Sequence, residues 1–146
     1  MPRIERSADV VWEGNVARGQ GHLTAETGTF DELPFSLASR ISANQGKTSP
    51  EELLAAAHAG CLTMSLATEL TTAGTPPGRL EVHCTIVMDE VEGQGHQIVG
   101  SNVEIHTQVD GADDAALAAA VERADEGCPF SALLRRAGAT VNVSRR

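Results

Sequence analysis

The chain has very few aromatic residues. Phenylalanine, tyrosine and tryptophan make up 3% of its 146 residues, and tyrosine is absent. The hydrophobic fraction of 41% is nevertheless ordinary for a soluble protein, so the core must be built mainly from alanine, valine, leucine and isoleucine. Small side chains of this kind favour closely packed helices. A chain of this length is expected to form a single domain over residues 1–146.

Positive charge is also scarce. The chain has 11 lysine and arginine residues against 20 aspartate and glutamate residues, which gives a formal net charge of −9. A surface of this sign repels phosphate backbones and anionic lipid, so neither nucleic acid nor a membrane is expected as a partner. The charged N-terminus has no apolar signal segment, and no apolar run is expected to cross a bilayer. The sequence therefore predicts a cytoplasmic protein.

Cysteine is sparse and odd in number, with Cys61, Cys84 and Cys128 far apart. A disulfide framework is not expected in such a chain, which leaves metal binding or catalysis as candidate roles. Cys84 belongs to the apolar face of an alternating strand pattern and is expected to be structural. His58 and Cys61 are one helical turn apart, but zinc needs three or four protein ligands and no second closely spaced pair is present. No metal or cofactor is therefore expected, and His58 should be satisfied in the core or an interface.

Hydrophobic periodicity predicts the element order βββ-α-ββ-αα-β, which is an α+β fold. The predicted strands are bounded by glycine-containing turns and lie around Val10–Trp12, His22–Glu26, Phe30–Leu37, Leu80–Met88, Gln97–Val109 and Thr140–Ser144. The first three are expected to form an antiparallel meander, and the fourth and fifth a long hairpin. Residues 42–49 are almost entirely polar and are predicted to form a surface loop.

The best-marked helix begins at Ser49-Pro50-Glu51-Glu52, with serine as N-cap, proline at the first position and a glutamate that completes a capping box. It is predicted to run to Ala73, a length of about 36 Å. Its surface is apolar nearly all the way round, which indicates burial on most faces. Cys61 lies in its middle, where the helix dipole has little effect.

A second cysteine has a more reactive setting. The Gly127-Cys128-Pro129 sequence places Cys128 at the start of a short helix, where backbone N–H groups favour a thiolate. A cysteine that merely fits the turn explains the same sequence equally well. By contrast, Glu51 is explained as an acid at a helix N-terminus. Arg40 and Arg18 would ordinarily be solvated surface charges.

Several of these motifs, in this order, resemble the OsmC/Ohr family of hydroperoxide reductases. The motifs are Trp12-Glu13-Gly14, Ala17-Arg18-Gly19-Gln20-Gly21, Ser49-Pro50-Glu51-Glu52-Leu53 leading through His58 to Cys61, and Gly127-Cys128-Pro129-Phe130-Ser131. The resemblance covers nearly the whole chain, and it is greater to the OsmC branch than to the Ohr branch. Gly60 stands where OsmC-like sequences commonly have alanine.

The resemblance implies a fold of antiparallel sheets wrapped around a long buried central helix, in an intertwined homodimer. It implies a thiol-dependent peroxidase that reduces organic hydroperoxides to alcohols, with Cys61 as peroxidatic and Cys128 as resolving cysteine. It further implies an ordering Arg–Glu pair at Arg40 and Glu51, with Arg18 as the alternative arginine. The expected reductant is a dithiol, in particular a lipoylated protein.

Helix geometry adds a reason to expect the dimer. Glu51 and Cys61 are ten residues apart on one helix, hence separated by about 15 Å along its axis, too far to share a site within one chain. An antiparallel partner helix would bring the two residues together, which predicts a two-fold homodimer with active sites at its interface.

Two other hypotheses remain open from the sequence. The chain could be a non-catalytic dimer that binds small apolar ligands or senses redox state through its disulfide. Alternatively, His58 and Cys61 could hold a metal ion.

Overall fold

The computed structural model describes residues 2–42 and 46–146, so part of the predicted surface loop, residues 43–45, lies outside the described residues. The chain divides into two compact units, residues 1–53 and residues 54–146.

The first unit contains an antiparallel sheet of three strands, β1 (Ala8–Glu13), β2 (Gln20–Ala25) and β3 (Leu33–Phe35), in that spatial order. This arrangement confirms the predicted meander. Gly21 on β2 is required by close packing, since a Cβ there would lie 2.4 Å from the Phe35 ring and 2.9 Å from Trp12. The two aromatic rings pack against each other with centroids 5.6 Å apart.

A short helix, α1 (Leu37–Ile41), follows β3 and was not predicted. The third strand was expected to continue to Leu37, but it ends at Phe35, and Arg40 lies on α1. The chain turns into a helix because Ser36 and Ser39 form a reciprocal capping box, in which each side chain accepts from the other's backbone N–H. Ser39 also donates to the Thr48 carbonyl at 2.8 Å.

The long helix α2 spans Pro50–Thr72 and begins where predicted. The Ser49 hydroxyl accepts from the Glu52 N–H at 3.2 Å, as an N-cap should. The Gly74 backbone, at φ 81°, follows its end. Among its residues, those buried within the chain form one stripe at four-residue spacing: His58, Leu62, Leu66 and Leu70.

The other faces of α2 are half-buried or exposed, and Met64 is 67% exposed. In the described part of the chain, α2 is the one helix long and apolar enough to cross a membrane, with a mean hydropathy of 1.3. The expectation that no apolar run reaches this length therefore does not hold for α2. Core helices of soluble proteins meet the same criterion, so this is weak evidence for a membrane span.

The second unit is built on a sheet with the strand order β4 (Arg79–Val91), β5 (Gly95–Gln108) and β6 (Thr140–Arg145). The β4–β5 hairpin is antiparallel, as predicted, and turns through Gly93 and Gly95, both at positive φ. The β6 strand instead pairs parallel to β5, so this sheet is mixed rather than antiparallel. A parallel neighbour requires a long crossover, and helices α3 (Asp114–Gly127) and α4 (Pro129–Arg136) provide it.

The core of the second unit lies between this sheet and the helices. In it, the α2 leucines pack against Val103 and Ile105 of β5. Helix α3 contributes the buried residues of one face, namely Leu117, Ala120, Val121 and Ala124. Apart from Cys128, the members of this core are aliphatic or alanine, as the composition predicts. Cys128 is part of this core and is fully buried, whereas Cys61 and Cys84 pack against its edge.

Candidate active site

Cys128 lies at the corner between α3 and α4. It is both the C-cap of the first helix and the N-cap of the second, with Pro129 at the first position of α4, as predicted. Its backbone N–H donates to the Asp125 carbonyl at 3.2 Å. Arg135 holds the same corner from the other side, since its guanidinium contacts both carboxylate oxygens of Asp125, at 3.2 and 2.5 Å. The α3–α4 corner is thus held by a backbone hydrogen bond and by an ion pair, both to Asp125.

Cys61 lies in the middle of α2 with its thiol beside that of Cys128, so the structure brings together the two cysteines that the sequence singled out. All three cysteines are free thiols. Burial raises the pKa of the Cys61 thiol, and the neighbouring Cys128 sulfur raises it further, while the backbone N–H of Phe130 lowers it. None of these influences comes from a cationic side chain among the described residues. Cys61 therefore has no source of activation within the second unit strong enough to offset burial.

The Phe130 backbone is a functional group that the sequence reasoning missed. Its N–H belongs to the first turn of α4, where such groups have no partner within the helix. The start of α4 therefore faces Cys61 as well as carrying Cys128. The signal was available, because a resolving cysteine at a helix start must bring that start close to its partner thiol.

A buried polar network lies one helical turn from the cysteines. The His58 imidazole is fully buried, with Nδ1 2.7 Å from the Ser101 hydroxyl and Nε2 2.8 Å from the Ser131 hydroxyl. Burial lowers the pKa of His58; the Asp125 carboxylate opposes this and the Arg135 guanidinium adds to it. Both serines are themselves fully buried. The expectation that His58 is satisfied in the core is confirmed, and neither serine was singled out from the sequence.

The metal hypothesis finds no support in this geometry. Both ring nitrogens of His58 are engaged by hydroxyl groups, so neither is left to bind an ion beside Cys61. Over residues 2–42 and 46–146, no group of three or more histidine, cysteine, aspartate or glutamate side chains could hold a metal. Cys84, on β4, has its sulfur 3.3 Å from the Ser101 hydroxyl, and burial raises its pKa.

Arg40 and Glu51 form an ion pair in the first unit. Nε and Nη2 of Arg40 both donate to Oε1 of Glu51, at 2.8 and 2.6 Å. The arginine side chain is 43% exposed and the glutamate 16%. A pair this open to water contributes about 1 kcal/mol or less to stability. Arg18, the alternative arginine, is exposed in the loop after β1, where its backbone N–H donates to the Asn15 side chain.

A cavity of about 200 Å³ lies beside Arg40 in the first unit. Apart from Arg40 and Ser36 its lining is apolar, and consists of Trp12, Val16, Phe35, Leu37 and Pro50. The second unit has a larger open groove of about 630 Å³ between α3 and β6, lined by Glu122, Asp125 and Arg145 among others and by no cysteine. An apolar chain with one polar end suits the smaller cavity better.

Comparison with known proteins gives consistent matches. Residues 43–144 match the family described as OsmC-like protein. The chain is 31% identical to peroxiredoxin OsmC of Escherichia coli K12 over 132 residues. These residues make up 90% of this chain and 91% of the Escherichia coli protein. The same identity and coverage hold for peroxiredoxin OsmC of Shigella flexneri.

Solved structures share the fold. The organic hydroperoxide resistance protein OhrB of Bacillus subtilis superposes with a TM-score of 0.75 at 25% identity, over 96% of this chain and 98% of that chain. An OsmC-like protein of unknown function from Vibrio cholerae has a TM-score of 0.76 at 12% identity, over 99% of each chain. The second similarity concerns the fold alone.

Proposed function

The chain belongs to the OsmC-like protein family, and on that premise we propose that it is a thiol-dependent peroxidase that reduces organic hydroperoxides to alcohols. The observation that carries the proposal is the pairing of Cys61 with Cys128 at the N-terminus of α4. Two free thiols in contact, one of them facing a backbone N–H, are the groups that a peroxidatic and a resolving cysteine require.

In the first step, the Cys61 thiolate attacks the distal oxygen of the hydroperoxide. The O–O bond breaks, Cys61 becomes a sulfenic acid, and the alkoxide takes up a proton and leaves as the alcohol. The sulfur is oxidised by two electrons and the peroxide is reduced by two. The Phe130 N–H, which lowers the pKa of Cys61, stabilises the attacking thiolate.

In the second step, the Cys128 sulfur attacks the Cys61 sulfenic acid. An S–S bond forms and the hydroxyl leaves as water. Disulfide geometry needs the two Cα atoms about 4.4–6.8 Å apart. The Cys61 thiol lies beside that of Cys128, which favours this bond. A dithiol reductant, in particular a lipoylated protein, then restores both thiols by exchange.

We further propose that the activating charge comes from a second copy of the chain. Burial and Cys128 raise the pKa of Cys61, so the reaction at neutral pH needs a cation nearby. Arg40, oriented by Glu51, is the candidate, and Arg18 is the alternative. Only 22% of the apolar window of α2 is buried within the chain, which is consistent with a homodimer in which the α2 helices pack together.

The apolar cavity beside Arg40 supports a substrate with an alkyl chain. A hydroperoxide placed there would direct its polar end to the guanidinium and its chain to Trp12, Phe35 and Leu37. Alkyl or lipid-derived hydroperoxides therefore fit this cavity better than hydrogen peroxide. We place the protein in the cytoplasm, where thiols are kept reduced.

The proposal is tested by consumption of tert-butyl hydroperoxide with dihydrolipoamide as reductant. Wild-type protein should turn over and Cys61→Ser should not; equal rates would refute the enzyme. After one equivalent of peroxide, thiol mapping should find a Cys61–Cys128 disulfide with Cys84 still free.

Subunit mixing tests the shared site. Glu51→Ala and Cys61→Ser proteins are each expected to have little activity. After mixing and subunit exchange, the hybrid dimer would pair an intact Cys61 with an intact Glu51 from the other chain, and about a quarter of the wild-type sites should be recovered. If both residues act within one chain, mixing recovers nothing. Light scattering should give about twice the chain mass.

The alternative function is a non-catalytic dimer that binds small apolar ligands, or a redox sensor. The raised pKa of Cys61 is the observation that favours it, because a thiol of this kind reacts slowly. Disulfide formation over minutes with no turnover in the presence of dihydrolipoamide would support the sensor.

A further inference from the structure

The proposed reaction gives no task to His58, although the side chain is fully buried and hydrogen-bonded at both ring nitrogens. Burial of a polar ring is unfavourable unless its nitrogens find partners, and an apolar residue would fill the same space without that requirement. The lowered pKa keeps the ring neutral, so one nitrogen donates and the other accepts. Each serine hydroxyl can take either role, and the network is complete in both tautomers.

The position of the network relative to the cysteines is its second distinctive feature. On α2, His58 precedes Cys61 by three residues, and on α4, Ser131 follows Cys128 by three. Three residues rise about 4.5 Å along a helix, which is close to one turn. The His58–Ser131 hydrogen bond and the Cys61–Cys128 contact are therefore neighbouring ties between the same two segments. Two contacts fix the orientation of the start of α4 relative to α2, whereas a single contact would allow it to rotate.

We propose that His58 is a positioning residue for the resolving step: through its hydrogen bond to Ser131 it holds the first turn of α4 so that Cys128 faces Cys61. This role rests on the proposed function, because it concerns the step in which Cys128 attacks the Cys61 sulfenic acid and water leaves. The bond to Ser131 acts mainly on the second step, through Cys128; in the first step the same turn contributes only the Phe130 N–H. The bond to Ser101 anchors the ring on β5 and does not reach α4.

The two serines provide a matched pair of variants. Ser131→Ala removes the tie to α4, and Ser101→Ala removes the tie to β5; each deletes one oxygen from a fully buried serine that bonds the same imidazole. Both proteins should therefore fold, as circular dichroism would verify, and should lose similar stability. A merely structural role for the network predicts equal effects of the two variants on the reaction.

The experiment separates the two steps. Reduced wild-type, Ser131→Ala and Ser101→Ala proteins receive one equivalent of tert-butyl hydroperoxide. Samples are quenched over time with dimedone, which traps sulfenic acid, and with N-ethylmaleimide, which traps thiols, and intact mass gives each species. Formation of Cys61 sulfenic acid should change less in Ser131→Ala than disulfide formation does, because α4 contributes only the Phe130 N–H to the first step. Ser131→Ala should then form the disulfide at least about tenfold more slowly, while Ser101→Ala stays within about twofold of wild type.

A second oxidant distinguishes failure of this inference from failure of the proposed function. Diamide joins two thiols without a sulfenic acid: a thiolate adds to its N=N bond, and the second thiol then attacks that sulfur and releases the hydrazine. The rate at which this adduct closes to the Cys61–Cys128 disulfide reports the thiol geometry. Slow oxidation in Ser131→Ala but not in Ser101→Ala is expected with diamide as well. Equal slowing of both variants, or slowing of neither, would overturn the positioning role. If wild-type protein forms no sulfenic acid while the diamide rates still differ, the peroxidase proposal fails and the geometric tie stands.

Discussion

Acidification should destabilise the protein through His58. The folded pKa of this buried imidazole is below its ordinary value of 6.5, mainly because burial disfavours the charged ring. The Asp125 carboxylate raises the pKa and the Arg135 guanidinium lowers it, but both effects are smaller than that of burial. The unfolded chain therefore binds a proton at a higher pH than the folded chain does. The free energy of unfolding keeps this contribution above about pH 6.5 and loses it as the pH falls toward the folded pKa.

The size of the effect follows from the linkage. One proton taken up by the unfolded chain and not by the folded one costs up to about 1.4 kcal/mol per pH unit. Below about pH 6.5 the slope should rise toward that limit until the folded imidazole itself takes up a proton. Carboxylates also titrate toward low pH and change the stability of every variant. The His58 contribution is therefore the difference in the pH slope of the unfolding free energy between the wild type and a His58 variant.

Urea unfolding followed by far-UV circular dichroism at several pH values gives the required free energies. His58→Gln retains a hydrogen-bonding side chain but cannot acquire the charge, and its stability should fall less steeply below pH 6.5 than that of the wild type. His106→Gln replaces an exposed histidine of β5 and controls for loss of one imidazole. Identical slopes for wild type and His58→Gln would refute the linkage.

Three further predictions concern packing. Leu66 is fully buried in the α2 stripe, so Leu66→Ala should cost about 2.7–5 kcal/mol of unfolding free energy, measured by urea. Gly60→Ala adds a Cβ that meets nothing within 4 Å on α2, and the better helix former should stabilise an isolated chain by about 0.8–1 kcal/mol; a loss would reveal a second surface packed on that face. Gly21→Ala forces a Cβ against the Phe35 ring and should destabilise the first sheet by about 1–3 kcal/mol, with a change in the emission of Trp12; unchanged emission and stability would contradict the packing.

Local signals placed the three predicted helices well and the strand pairings less completely. The start of α2 was predicted because Ser49, Pro50 and Glu52 act within a few residues of one another. The α1 helix was missed because its cap is a serine pair rather than a Ser–Glu box, and because Ser39 also depends on the distant Thr48 carbonyl. The parallel direction of β6 depends on a crossover that no strand pattern encodes.

In the candidate site, too, local features were predictable and contacts between distant residues were not. The helix-start position of Cys128 was read from Gly-Cys-Pro, whereas the contact between Cys61 and Cys128 was expected only from family resemblance. The roles of Ser101 and Ser131 could not be predicted, because a single serine produces no periodic signal and these two meet only at the His58 ring. Organisation as a single domain stays a prediction.

The parallel pairing of β6 has a consequence for the order of assembly during synthesis. Its residues pair with β5 residues about forty positions earlier, as in the Asn102–Asn142 hydrogen bond, whose partners are 40 residues apart. Translation delivers Cys61 and Cys84 well before Cys128, and β6 follows Cys128. Because α3 and α4 both pack on that strand, their corner can settle only after β6 has been synthesised. Until then Cys128 is not held beside Cys61, so the contact between the two thiols forms late in folding.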